Sequence, residues 1–104
     1  VVATNGVEQP QRIHPLVGEL TFDTVPDRWE ESGSLFDDSA AVVVDLAGVT
    51  RADSAGLALL VGLVRRAKQS GKSLTFRNIP DKLLAIARVT GVETLLTGEQ
   101  SAAQ

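Results

Sequence analysis

The apolar positions of this chain fall into two rhythms. Residues 40–46 are apolar but for Asp45, the pattern of a strand covered on both faces. From Gly56 to Lys68 the apolar residues recur at helical spacing, which predicts a helix over about residues 54–70. Gly71 stops that helix in the position expected of a left-handed C-cap. Between strand and helix, residues 47–52 read as a short connector that ends in Asp53-Ser54. Leu57, Leu60, Val61 and Val64 form the core stripe of the helix. Leu59 and Leu63 widen the apolar arc to about half the circumference, more than one sheet contact needs. These two either pack on a neighbouring helix or mark a partner site.

Upstream, residues 12–20 alternate loosely (Ile13, Leu16 with Val17, Leu20) and predict a strand closing at Gly18-Glu19-Leu20. Pro15 within it favours an edge position or an irregularity. Asp23 or Thr24 caps a following helix whose first turn carries Pro26, where the missing N–H costs little. Val25, Trp29 and Phe36 lie at helical spacing, so Trp29 is expected to be a core anchor. Gly33 and Ser34 weaken the last turn, and Asp37-Asp38-Ser39 reads as a solvated loop. Downstream, Leu74-Thr75-Phe76-Arg77 alternates as a strand with one wet face would. Pro80 opens a further helix with Asp81 at its positive end; Leu83, Leu84, Ile86 and Ala87 pack it and Gly91 ends it. Residues 92–96 form a short last element. Three segments result: a polar tail or weak first strand over residues 1–11, with Val7 its main support; one domain over 12–96; and a mobile tail over 97–104. Strand and helix alternate along the domain, which predicts an α/β fold with helices packed on a largely parallel sheet.

Composition narrows the chemistry. The chain has 104 residues, 43% hydrophobic and 22% charged, enough for one core. A net charge of −3 argues against a nucleic-acid binder, which carries a basic stripe. Arg65, Arg66 and Lys68 cluster, but read as a solvated helix face. There is no cysteine and one histidine, His14, so neither a disulfide framework nor a thiolate or multi-histidine metal site is open. The longest apolar run, residues 55–64, is far short of the roughly 20 needed to span a bilayer. No charged-then-apolar leader opens the chain, so no signal peptide is expected.

A catalytic constellation is missing as well. The nine glycines match neither a P-loop nor a dinucleotide-binding spacing. Ser54 has no general base, because His14 lies in a proline-flanked segment. Asp45 reads as a strand-end residue that shapes the connector by hydrogen bonding, not as half of a carboxylate pair with Asp53. No enzyme and no cofactor are expected. Asp53-Ser54 at a helix start has two readings. Ser54 is a cap beside an acid, accepting hydrogen bonds from the helix's orphan N–H groups, or it is a place for a regulatory phosphate, since helix N-termini attract anions.

The run Asp53-Ser54-Ala55-Gly56-Leu57, following Ala41-Val42-Val43-Val44-Asp45-Leu46, resembles the signature of the STAS domain family. That family contains anti-anti-sigma factors and the cytosolic domains of sulfate transporters. The similarity extends through Gly56-Leu57-Ala58-Leu59-Leu60, Ala67-Lys68-Gln69-Ser70-Gly71, Pro80-Asp81-Lys82-Leu83, Gly18-Glu19-Leu20 and Trp29, covering about residues 13–96. Within the family the chain is most similar to the small STAS subunit of the Mla-type ABC transporter, which moves phospholipids in Gram-negative bacteria and maintains outer-membrane lipid asymmetry. The resemblance implies a single STAS-like domain with a mixed, mainly parallel sheet and helices mainly on one face. It implies a non-catalytic subunit on the cytoplasmic side of the inner membrane. There it would dock on the ATPase subunit, and through it on the membrane permease complex, using Asp53, Ser54, Ala55, Gly56 and Leu57. The alternative is an anti-anti-sigma factor whose Ser54 is phosphorylated by an anti-sigma kinase. Ala55 argues for the transporter subunit, since anti-anti-sigma factors resemble Asp-Ser-Ser-Gly at this point.

Overall fold

A computed structural model describes residues 11–98. The expected tail or first strand over residues 1–11 lies outside the described part except for Gln11, which opens a strand, and the expected tail over 97–104 lies outside it except for Thr97, which ends a helix, and Gly98. Five strands and four helices follow in order: β1 (Gln11–Pro15), β2 (Gly18–Leu20), α1 (Val25–Glu31), β3 (Ala41–Asp45), β4 (Val49–Ala52), α2 (Ser54–Gln69), β5 (Ser73–Arg77), α3 (Asp81–Thr90) and α4 (Glu93–Thr97). Every pairing among the described strands is parallel. β3 lies between β1 and β5, with Arg12, Val42 and Leu74 in register, and likewise His14, Val44 and Phe76. β2 pairs with β4.

Two expectations change here. The single strand over 12–20 is broken into β1 and β2, and the connector over 47–52 contains a strand. Proline lacks the N–H a ladder needs, and the chain bends just after Pro15. It resumes at Gly18, whose φ of 83° only glycine adopts easily. β3 bends in parallel and resumes as β4. Backbone bonds carry the pairing through the bend, from Leu16 N to the Asp45 carbonyl and from Gly18 N to the Gly48 carbonyl, both 2.9 Å. β4 escaped the sequence reading because its middle residues, Thr50 and Arg51, are exposed and only Val49 and Ala52 turn inward. Its partner, moreover, is far upstream.

The buried face of the sheet presents Val42, Val44 and Leu74. They join Leu57, Leu60, Leu63 and Val64 of α2, Leu83 and Ala87 of α3, and Leu96 of α4 in one core. β3 is buried along its middle, as its apolar run requires. Leu59 and Leu63 are 3% and 1% exposed, so their width serves packing and leaves no apolar stripe there for a partner. α2 ends as expected. Lys72 N and Gly71 N donate to the carbonyls of Ala67 and Lys68, with Gly71 left-handed; this satisfies carbonyls the last turn leaves open.

The first helix departs most from its reading. α1 has only seven residues, and a 3₁₀ turn at Ser32–Ser34 follows it. Phe36 is buried from the loop beyond, so it does not share a helical face with Trp29. Trp29 is 37% exposed and lies outside the core. The glycine and serine that weaken the last turn end the α-helix before its 3.6-residue phase reaches Phe36.

Candidate functional site

The bend and the tight fit of α2 on β2 build the site. β4 runs directly into α2, and Gly56 seats that helix on the end of β2. A Cβ at Gly56 would stand 2.7 Å from the Leu20 carbonyl oxygen, closer than any side chain allows. Asp53 is the residue that joins the pieces. Its backbone N–H donates to the Leu20 carbonyl at 3.2 Å. One carboxylate oxygen, Oδ1, accepts from Ala55 N at 2.8 Å, and the other, Oδ2, accepts from Phe22 N at 3.1 Å. Asp53 is therefore the N-cap of α2, and it ties that cap to the loop after β2. The Phe22 N–H holds the Asp53 carboxyl below its ordinary pKa, with further contributions from the Ala55 and Gly56 N–H groups and the charge of Lys82; partial desolvation acts the other way.

Ser54 is not the cap. It is the first helical residue, exposed, and its hydroxyl makes no hydrogen bond to the described residues. Ala55 is half-buried, while Gly56 and Leu57 are buried. Of the five residues in the motif, Gly56 and Leu57 thus support the helix from within, Asp53 caps it, Ala55 is half-buried, and Ser54 is the one presented to solvent.

Four and eight residues further along the same side of α2 stand Ala58 and Gly62. This exposed side is a shallow channel about 12 Å long at 1.5 Å per residue, with a floor of small residues. On one flank, Ser54, Ala58, Val61 and Arg65 face Ile86, Thr90 and Val92 across a groove of about 440 Å³. On the other, Val25 and Trp29 of α1 enclose a largely apolar hollow of about 270 Å³ over Ala58, Leu59 and Gly62. Gly62 makes room for the indole, since a Cβ there would sit 3.0 Å from Trp29 Cζ3. The ring is fixed from above as well. The Arg66 guanidinium stacks 3.6 Å from the ring centroid and its Nη1 donates to Ser32 Oγ at 3.2 Å. Ser32 Oγ in turn donates to the Trp29 carbonyl at 2.8 Å. The basic cluster on α2 thus includes one residue, Arg66, that is more than a solvated charge.

The remaining candidates fall where their chemistry suggested. Asp45 Oδ1 accepts from Ala47 N and Asn78 Nδ2, both at 3.0 Å, and Oδ2 accepts from Arg77 Nε at 3.3 Å. It locks the ends of β3 and β5, as a strand-end residue should, and both its oxygens are committed. The Asn78 bond is the main reason its pKa lies below the ordinary value, followed by the Ala47 N–H. His14 belongs to β1, beside Val44 of β3, and burial lowers its pKa. No grouping of metal-ligating side chains occurs among the described residues, and none of their helices is long and apolar enough to cross a membrane.

Sequence reasoning missed the flank made by Trp29, Ala58 and Gly62. One signal was available. A glycine in the middle of a 16-residue helix costs about 1 kcal/mol against alanine and so calls for a packing reason.

Comparison with known proteins bears on this arrangement. The family described as "Mlab, STAS domain" matches residues 3–97. The intermembrane phospholipid transport system binding protein MlaB of Escherichia coli is 34% identical over 74 residues, covering 71% of this chain and 74% of that protein. An anti-sigma-B factor antagonist of Staphylococcus aureus is 31% identical over 80 residues, covering 76% of this chain and 74% of that one. The corresponding Bacillus subtilis antagonist is 27% identical over 81 residues. Among solved structures, a sulfate transporter family protein from Wolinella succinogenes shares the fold, with a TM-score of 0.61 at 18% identity over 81% of this chain and 70% of that one. With the acid–hydroxyl motif at the start of α2, the parallel sheet beneath it and a family match spanning nearly the whole chain, this protein belongs to the STAS domain family.

Proposed function

We propose that this protein is the non-catalytic STAS subunit of a Mla-type phospholipid ABC transporter. In that role it binds the ATPase subunit on the cytoplasmic side of the inner membrane and stabilises or regulates it. The observation that carries the reading is the exposed side of α2. Ser54 and Ala58 form a floor without bulky side chains between two apolar flanks, one of them the Trp29 ring seated on Gly62, so the backbone of a partner can approach closely. Ser54 stands at one end of that floor with its hydroxyl uncommitted. The similarity to MlaB of E. coli supports transport over other STAS roles. Lipid is handled by other subunits in this reading, and no cofactor is needed.

The test is co-expression with the ATPase subunit of the transporter from the same organism, followed by affinity purification. The ATPase is expected to co-purify with the wild-type chain and to be lost with Ser54→Glu, which adds bulk and charge beside Asp53. If the ATPase does not co-purify with the folded wild-type protein, the transporter reading fails.

A second reading is favoured by one feature, the exposed Ser54 hydroxyl, which has no partner among the described residues. As in an anti-sigma factor antagonist, it would accept a phosphate from an anti-sigma kinase, placing about −2 charge next to Asp53 and breaking the interface by repulsion. Intact-mass measurement of protein from its native host separates the two, since a phosphorylated Ser54 that releases an anti-sigma factor belongs only to this second reading.

A further inference from the structure

We propose that Phe22 is an anchor of the partner interface, held outward beside Ser54 by the Asp53 carboxylate, and that it fills a basic-rimmed apolar pocket on the ATPase subunit. The inference rests on the complex proposed above and adds a contact that neither the motif nor the groove contains.

Phe22 is 80% exposed, far more than Trp29 at 37%. Isolated exposed apolar residues are common on surfaces, and Val89 of α3 is more exposed still, at 87%. Phe22 is set apart as an aromatic ring at the tip of a fastened turn. Its N–H donates to Asp53 Oδ2 at 3.1 Å. The preceding residue, Thr21, donates its N–H to Thr24 Oγ1 at 2.9 Å, and that hydroxyl donates to the Glu19 carbonyl at 2.7 Å. The N–H groups of Thr24 and Val25 close on the Thr21 carbonyl. The turn over residues 21–24 is thus fastened from both sides, with an aromatic side chain at its tip that is 80% exposed.

An aromatic ring presented on rigid backbone loses little conformational entropy on binding, which is the character of a hot-spot residue. The same Asp53 carboxylate caps α2 through Ala55. Phe22 and the start of the Ser54–Ala58–Gly62 channel are therefore joined through one side chain, Asp53, into one fixed unit. The charge around the tip describes the pocket. Asp23 and Asp27, on either side of the turn's exit into α1, are exposed and have no ion-pair partner among the described residues. A complementary pocket is apolar at its base with lysine or arginine at its rim.

The experiment measures the affinity of the full chain for the isolated ATPase subunit by calorimetry, at low and at high salt. Phe22→Ala is expected to weaken binding about tenfold or more, as hot-spot truncations do, with an unchanged or higher melting temperature because the ring is exposed. Phe22→Leu keeps apolar bulk and is expected to recover most of the loss. Ile13→Ala removes another exposed apolar side chain, one on β1 away from α2, and is expected to stay within about twofold of wild type. Raised salt is expected to weaken the wild-type complex. The anchor is overturned if Phe22→Ala binds within about twofold of wild type, or if Ile13→Ala loses as much as Phe22→Ala. A salt-independent affinity overturns the basic rim. A wild-type chain that does not bind the ATPase at all overturns the proposed complex, and the anchor falls with it.

Discussion

On the side of α2 that meets the sheet, Leu57, Leu60, Leu63 and Val64 are buried against β3, β5 and the other helices. On the opposite side, Ser54 and Ala58 are exposed and Gly62 lies against the Trp29 ring. The two sides differ in side-chain size as well as polarity. Bulk belongs where the helix must fill a core, and its absence leaves a trough where another molecule can lie close. In the proposed complex one helix serves folding with one face and association with the other, so substitutions on the two faces are expected to separate stability from binding.

Leu60→Ala, on the buried face, is expected to have the largest effect. It should lower the unfolding free energy by about 2–5 kcal/mol, the range for truncating a fully buried leucine, as read by urea denaturation. Loss of binding in this variant should follow only from loss of fold. Ser54→Glu, on the open face, is expected to reverse the pattern. An acidic residue in the first turn is favourable for the helix, so thermal stability is kept while ATPase binding drops about tenfold or more. If the melting temperature falls with the affinity, the two faces are not separable at this position.

Gly62→Ala probes the boundary between the faces. Alanine favours the helix by about 1 kcal/mol, but its methyl must displace the indole of Trp29. Net stability is expected to change by less than about 1 kcal/mol, while the emission of Trp29, the only tryptophan in the chain, should shift as the ring leaves its stack with Arg66. An unmoved emission maximum would mean that the glycine is not what seats the ring.

Asp53→Asn is expected to have a smaller, pH-dependent effect. The folded-state pKa of Asp53 is depressed, so the stabilisation from its charge is present above the unfolded value of 3.8 and is lost as pH falls through the lower folded value. Wild type should melt a few degrees higher than Asp53→Asn at pH 7, and the gap should close in acid. A constant gap would assign the difference to geometry rather than charge. Ser54→Ala is expected to change least, within about 0.5 kcal/mol in stability, the range for an exposed substitution outside a cap. A loss of 1 kcal/mol or more, by contrast, would mark the hydroxyl as a cap after all.

The parts of the molecule legible from its residues share a property: each depends on neighbours in the chain. The buried run of β3, the α2 stripe, the glycine stop at Gly71 and the proline start of α3 are local signals of period, cap and turn. The acid–hydroxyl pair was legible as a site for the same reason, although the residues suggested Ser54 as the cap and Asp53 holds it. That was decided by Phe22 N and Ala55 N, whose positions around Asp53 depend on β2 and α2 meeting. Trp29 was misread because a helical period was extended across Gly33 and Ser34, where the α-helix had already ended.

From residue order alone follow the α/β class, the ends of α2 and α3 and the placing of Asp53-Ser54 at the mouth of α2, because hydrogen bonds and hydrophobic periods within a segment act over a few residues. Long-range contact settled the rest. The bend that splits two strands in step, the tie from Asp53 to Phe22, and the trough between Trp29 and Ile86 join residues from separate segments. Their energies exist only once the sheet has brought those segments together, so no single stretch of the chain records them.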